Sequence, residues 1–362
     1  MSSRRHKWHP ICERPRGLVR PVPVDPTGVN GPTKAQACGP NWRRTTKGRY
    51  VPAHVTDKVP EQRILEQSNR LPEGGAVTGW PACRLLGANF FDGLDVDGHT
   101  RFPVPLCIGQ LGQLTETREA CVSRDRIDAS EVTQRAGVPC TTVLRALFDA
   151  ARSATDVREA VVAIDMMAAA GLASIRQLDD YTASRPGWRG VPQVRAALAL
   201  ASEHCRSPNE TRMRLIWQLD AGLPRPRMNQ PVFDLHGKLL GIADLLDVVA
   251  GVVGEYDGAD HRSGRRQSKD VAREDGFRGV GLEFFKVTGP DMHRRPMLVT
   301  RMTTTRNRAK WLPASERSWT IEPPRGTEVE MSLHERLEQR AWQVSFYRQY
   351  EQEGDHYLPN VS

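Results

Sequence analysis

The sequence predicts an α+β, multi-domain protein, and three observations carry that expectation. Its 362 residues are more than one hydrophobic core needs, and 39% of them are hydrophobic, enough to fill several. Segments with helical apolar spacing between residues 151 and 206 stand apart from strand-like pieces before and after them. Beyond residue 207 the order reads helix, three strands, helix, strand, the layout of a layered α/β core.

Taken in order, residues 1–32 (including RPRGLVRPVPVDPTGVNGP) are rich in Pro and Arg without apolar periodicity, and are expected to be a disordered basic arm. Residues 33–150 should form a small α+β region. It opens with WRRTTKGRYVP, where Trp42, Tyr50 and Val51 flank a turn as in a β-hairpin, and continues with helix-like EQRILEQSNRL, a turn, a short helix around GWPACRLLGA and a strand near FPVPLCIG. Residues 151–206 read as a helical connector: Val157, Val161 and Ile164 share one face, Gly171 is a helix stop, and Ser174 with Gln177 makes a capping box.

Residues 207–312 form the next domain. SPNETRMRLIWQLDAG starts at a serine cap with Pro208 inside it, turns Met213, Ile216, Trp217 and Leu219 mostly inward, and ends at Gly222. PVFDL, LLGIADLLDV and AGVVGEYDG are strand-like, HRSGRRQSKDVARED enters a helix, and GLEFFKVTG supplies another strand. Residues 313–362 are expected to be a linker and a C-terminal helix.

The chain carries no apolar run long enough to cross a bilayer and no signal-peptide pattern, so a cytoplasmic protein with no membrane partner is expected. Seven scattered cysteines without a C-x-x-C argue against a zinc site or a disulfide framework. A net charge of +8 is compatible with a polyanionic partner.

The chemistry concentrates in EYDGADH, Glu255 to His261, which follows the apolar run VVAGVVG. Buried strands avoid ionised groups, yet Asp244 and Glu255 end neighbouring strands, Asp257 lies two residues beyond Glu255, and Glu210 sits on the preceding helix. A bound cation relieves the repulsion among such acids, and oxygen ligands without cysteine favour Mg²⁺ or Mn²⁺. Salt bridges to nearby arginines satisfy Asp244 and Glu255 equally well. Arg262, Arg265, Arg266, Lys269 and Arg273 could bind DNA phosphates or form a solvated helix face, and His261 could move protons or cap a turn. Asp247 and Asp260 read as solvated loop acids.

The Glu210 helix, Asp244 at a strand end, the E-Y-D-G-x-x-H block, Asp270 and Arg273 in D-x-x-R, and LEFFKVT together resemble the PD-(D/E)XK nuclease superfamily, in its branch similar to very-short-patch-repair endonucleases. Upstream, GPNWRRTTKGRYVPA, LPEGGAVTGWPACRLLGA, VREAVVAIDMMAAAGL and VRAALALA resemble a region of AbiEi-type abortive-infection antitoxins, which implies a degenerate winged-helix wing within 33–150. The resemblance implies a restriction-endonuclease-like core and a metal-dependent deoxyribonuclease. Glu210, Asp244, Glu255 and Asp257 would be its metal-binding acids, and Asp244, Glu255, Asp257 and His261 its catalytic residues. Asp257 stands where many superfamily members have lysine. A non-catalytic, antitoxin-like DNA-binding regulator on the same scaffold is the other class of function, and a toxin or other protein partner stays open.

Overall fold

The computed structural model describes residues 17–258, 264–327 and 330–354; for 264–270 and 345–354 it describes the backbone alone. The protein is a mixed α+β chain of two compact units, each with a five-stranded sheet. Within the described residues one unit is 17–170 with Asp180–Ala199, and the other is Gly171–Asp179 with 200–354.

In the first unit, the short helix α1 (Lys34–Ala37) precedes the hairpin of β1 (Trp42–Thr46) and β2 (Arg49–Pro52), which turns at Gly48 with φ 70°. The elements α2 (Pro60–Ser68), β3 (Ala76–Val77), α3 (Trp80–Leu85), β4 (Val104–Cys107), β5 (Ala120–Ser123), β6 (Val132–Arg135), β7 (Val138–Thr141), α4 (Val143–Arg152) and α5 (Val157–Ala169) follow. The sheet order is β5-β4-β3-β7-β6.

Two expectations about organisation change here. Residues 17–32 are held in place: Val22 bridges Tyr50 through N–H···O bonds of 2.9 and 2.8 Å, and the Gln62 amide clasps the Val19 backbone at 2.9 and 2.8 Å. Backbone groups that find such partners do not need apolar periodicity to stay ordered. Residues 151–206 are no separate connector either. Helices α5 and α7 (Val191–Leu200) belong chiefly with the first sheet, and the unit boundary falls inside α6 (Ile175–Ala183). The Ser174/Gln177 capping box forms, with both reciprocal bonds at 3.1 Å.

In the second unit, α8 (Pro208–Leu215) starts at Ser207, whose Oγ accepts from the Glu210 N–H at 3.2 Å, and passes into a π-turn at Ile216–Asp220, whose wider winding leaves Leu219 exposed and not inward as expected. Then come β8 (Arg227–Asp234), β9 (Leu239–Asp247), β10 (Val252–Asp257), α9 (Gly264–Gly279), β11 (Glu283–Thr288), α10 (Gly289–Met292), α11 (Arg295–Arg308), β12 (Trp319–Thr320) and α12 (Leu333–Gly354). The sheet order is β11-β10-β9-β8-β12, with β10 and β11 parallel and the other pairs antiparallel. Since β12 joins this sheet, the segment expected to be a linker from 313 contributes to the core.

Consecutive phenylalanines of β11 show how the sheet is covered. Phe284 stacks on Phe277 of α9 at 6.3 Å, within a cluster with Val253, Leu246 and Trp319. Phe285 points the other way and stacks on Trp217 of the π-turn at 6.0 Å, interplanar angle 3°. Alternation along a strand therefore puts α9 on one face and α8 with the π-turn on the other. Among the described residues no helix is long and apolar enough to cross a membrane.

Candidate acidic site beside β9 and β10

The apolar run before Glu255 builds the local geometry. A Cβ on Gly254 would come within 2.4 Å of the Phe285 ring, so only glycine lets that ring cross β10 and reach Trp217. Gly241 does the same on the other face: its missing side chain leaves room for the Arg273 stem and Phe277, which would lie 2.7 and 2.8 Å from a Cβ there. With α9 seated that close, Arg273 reaches across to Glu255, its Nη2 donating to Oε2 at 2.7 Å. Glu255 is buried, and Arg273 is partly open to solvent.

The antiparallel pairing of β9 with β10 runs through Val252↔Asp247, Val253↔Leu246 and Gly254↔Leu245 and stops one residue short of Glu255 and Asp244. The Asp244 Oδ2 accepts from the Tyr256 N–H at 2.9 Å. The side chain keeps some solvent access, yet protein surrounds most of the carboxylate. Burial first, then the charge of Glu210, then that of Glu255, push its pKa up to about 7, against the opposing Tyr256 N–H and Arg273.

Glu210 is also nearly buried. Its Oε2 accepts from Asn229 Nδ2 at 2.6 Å and from the Arg206 N–H at 2.9 Å. Asn229 sits at φ 48°, a left-handed conformation that asparagine tolerates, and so bends β8 toward the helix. Glu210 thus approaches from the layer of α8, whereas Glu255 alternates with Val253 toward α9. Asp244 is where their fields meet. That division agrees with a second fact: among the described residues, no three His, Cys, Asp or Glu side chains stand as a ready ligand set for one ion.

Asp257 is exposed at the end of β10, beyond the buried stretch. Tyr256, between it and Glu255, faces α8, where its hydroxyl accepts from Asn209 Nδ2 at 2.8 Å. In the parallel register Lys286 is the β11 neighbour of Glu255, a cation that the sequence reading passed over; its Nζ lies 2.8 Å from Glu274 Oε2 on α9. Only the pairing of β10 with β11 reveals it.

Several expected site residues cannot be placed. His261, Arg262 and Asp260 lie outside the described residues, and the side chains of Arg265, Arg266, Lys269 and Asp270 lie outside them too, although their backbone is in α9. Asp247 differs from its expected role as a solvated loop acid. It is buried, its Oδ1 caps the Val249 and Ala250 N–H groups at 3.0 and 3.1 Å, and its Oδ2 accepts from Arg306 Nε at 2.7 Å.

The donor chemistry of Asp244 and Glu255 fits a hard divalent ion, since Mg²⁺ is commonly held by one or two carboxylates with water completing its shell. No protein-family model matches the chain, and neither the curated proteins nor the solved structures yield a match.

Proposed function

We propose that the second unit is a metal-dependent DNA endonuclease of the PD-(D/E)XK type, similar to the very-short-patch-repair branch. The observation that carries this reading is the convergence on Asp244 of two further carboxylates, Glu210 and Glu255, in a mixed sheet flanked by α8 and α9. Acids forced together beside Asp244, which lies within β9 and not at its end as expected, destabilise the chain unless a cation uses them.

In this reading Asp244 and Glu255 hold Mg²⁺ or Mn²⁺, with Glu210 held against Asn229 beside them. When bound, the ion would polarise a phosphate and lower the pKa of an attacking water. Arg273 orients the Glu255 carboxylate and, being half exposed, can also meet a DNA phosphate. Exposed Asp257 is placed to accept a proton from water at the strand end, and the adjoining basic segment from Arg262 to Lys269 would track the DNA backbone.

The reading of a non-catalytic, antitoxin-like DNA-binding regulator has its own support in the Glu255–Arg273 ion pair and in the lack, among the described residues, of a ready three-ligand set. The deciding experiment incubates the full chain with supercoiled plasmid, branched duplex and single-stranded DNA, with and without Mg²⁺ or Mn²⁺. Cleavage that needs the ion and vanishes in Asp244→Ala and Glu255→Ala supports the nuclease. DNA binding with no cleavage of any form favours the regulator.

A further inference from the structure

The segment after α11 carries Lys310, Trp311 and Leu312 to the start of β10. Trp311 has φ 54°, a left-handed conformation that a bulky L-residue rarely adopts, yet the residue is 44% exposed. The strained backbone thus presents the ring to solvent instead of burying it. One ring face is backed by Arg306, whose guanidinium carbon is 4.2 Å from the centroid, and the indole Nε1 donates to the Arg306 carbonyl at 3.2 Å. Arg306 is itself fixed by Asp247 at 2.7 Å, so the platform is braced from beneath.

Beside Trp311 a shallow crevice is lined by Gly251, Gly281, Lys310, Arg317 and Trp319 among others, with no acidic residue in its lining. Gly251 and Gly281 have φ 78° and 84°, and their N–H groups donate to the Asp247 and Arg278 carbonyls; a Cβ on Gly281 would stand 3.4 Å from Lys310 Nζ. Arg317 lies over Trp319 at 5.0 Å, and its Nε donates to the Leu312 carbonyl at 2.9 Å. A partly exposed indole with Lys310 and Arg317 beside it suits a flat ring with phosphate attached. The crevice has room for about one water molecule, so a flat ligand would lie over the exposed ring and not inside the crevice.

We propose that the surface around Trp311 binds single-stranded nucleic acid, stacking an unpaired base on the exposed ring and placing the neighbouring phosphates against Lys310 and Arg317. The net charge of +8 favours the same partner. The site uses none of the acids of β9 and β10, and it stands whether or not they cleave DNA.

The test uses the full chain in EDTA, without divalent ions, titrated at several salt concentrations with a fluorescein-labelled twelve-residue oligo-dT and with a blunt duplex of the same length. Wild type should bind the single strand more tightly than the duplex. Trp311→Gly should weaken single-strand binding about tenfold or more, because base stacking is lost. Its Tm should hold or rise, since glycine accepts this φ without strain. Trp311→Phe, which keeps a stacking face, should retain most of the affinity. Lys310→Ala should flatten the salt dependence of log K by about 0.7, one phosphate contact to a single strand. Unchanged binding in Trp311→Gly overturns the proposal, as does a fall in Tm accompanying the loss, which makes the tryptophan a structural support. A loss of duplex binding in Trp311→Gly as large as the loss of single-strand binding removes the unpaired base from it, and an unchanged salt slope in Lys310→Ala removes the phosphate.

Discussion

Two buried polar clusters, one in each unit, solve the problem of internal charge in opposite ways. In the first unit Arg145, with no exposed surface, donates to Asp149 and Glu131 at 2.8 Å each and to the Arg126 carbonyl at 2.9 Å, and its guanidinium lies 4.6 Å from the Trp188 ring centroid. Arg152 adds contacts to Asp149 and Asp125, and Arg185 adds one to Glu131 at 2.9 Å. Glu131, despite its burial, is held below the usual carboxylate range by Tyr181, Arg145 and Arg185. In the second unit Asp244 meets two other acids, and its carboxyl is pushed up instead. A balanced cluster is explained by folding alone. An unbalanced one asks for something outside the chain, and for that reason the acids of the second unit, not the arginines of the first, are the place to look for chemistry.

The largest expected effect breaks the balanced cluster. Arg145→Met should cost about 3–5 kcal/mol, because Asp149 and Glu131 would be left buried with too little positive charge. Thermal or denaturant unfolding would show it, and a loss under 1 kcal/mol would mean that the network is not structural.

The opposite sign is expected at Asp244. Its carboxyl titrates near 7 in the folded chain and near 3.8 when unfolded, so the folded state holds the proton more tightly. Wild-type stability should therefore fall as pH rises from about 4 to 7 and level off above that range. Asp244→Asn should match wild type near pH 4 and exceed it at pH 8, by about 4 kcal/mol at most and less where solvent screens the repulsion. Unfolding curves at the two pH values decide this; a variant less stable at pH 8 would show that Asp244 is a satisfied structural acid.

A smaller effect sharpens the comparison at a shared metal. Mg²⁺ added at pH 8 should raise the wild-type Tm by offsetting the repulsion, with about 2.7 kcal/mol gained at a hundredfold excess over Kd. The gain should disappear in Asp244→Asn and Glu255→Gln, and equal gains in all three proteins would place the ion elsewhere.

The smallest effect belongs to a surface pair that resembles the balanced cluster in miniature. Asp291 is held down to about 2 by Arg301, aided by the Thr288 N–H and hydroxyl. Its contribution is present above about pH 4 and lost as pH falls through 2. Asp291→Asn should cost below about 1 kcal/mol at pH 7 and nothing near pH 2, as acid titrations of the two proteins would reveal.

How far such sites were legible depended on how far their partners lie along the chain. Ser207 with Glu210 and Ser174 with Gln177 announce helix starts because donor and acceptor are three residues apart. The acids of β9 and β10 were visible because charge interrupts an apolar run, and the hairpin that joins their strands is local as well. Asp247 was misread because Arg306, which neutralises it, comes 59 residues later. Lys286 went unnoticed because a parallel neighbour of Glu255 is supplied by a crossover through α9 and not by a turn.

By itself, then, the sequence determined the α+β character, the order from α8 to β11 and the candidate acids Glu210, Asp244 and Glu255, all of which follow from periodicity, capping and the cost of burying charge. Only the tertiary structure decided that Glu255 is bonded to Arg273, that Glu210 and Glu255 reach Asp244 from different layers, that β12 completes the second sheet and that Trp311 is held open beside Lys310. Local patterns state which groups a segment must satisfy. Which distant residue satisfies them depends on where the packed layers bring the chain back, and glycines such as Gly241 and Gly254 reveal their purpose only once Arg273 and Phe285 fill the space above them.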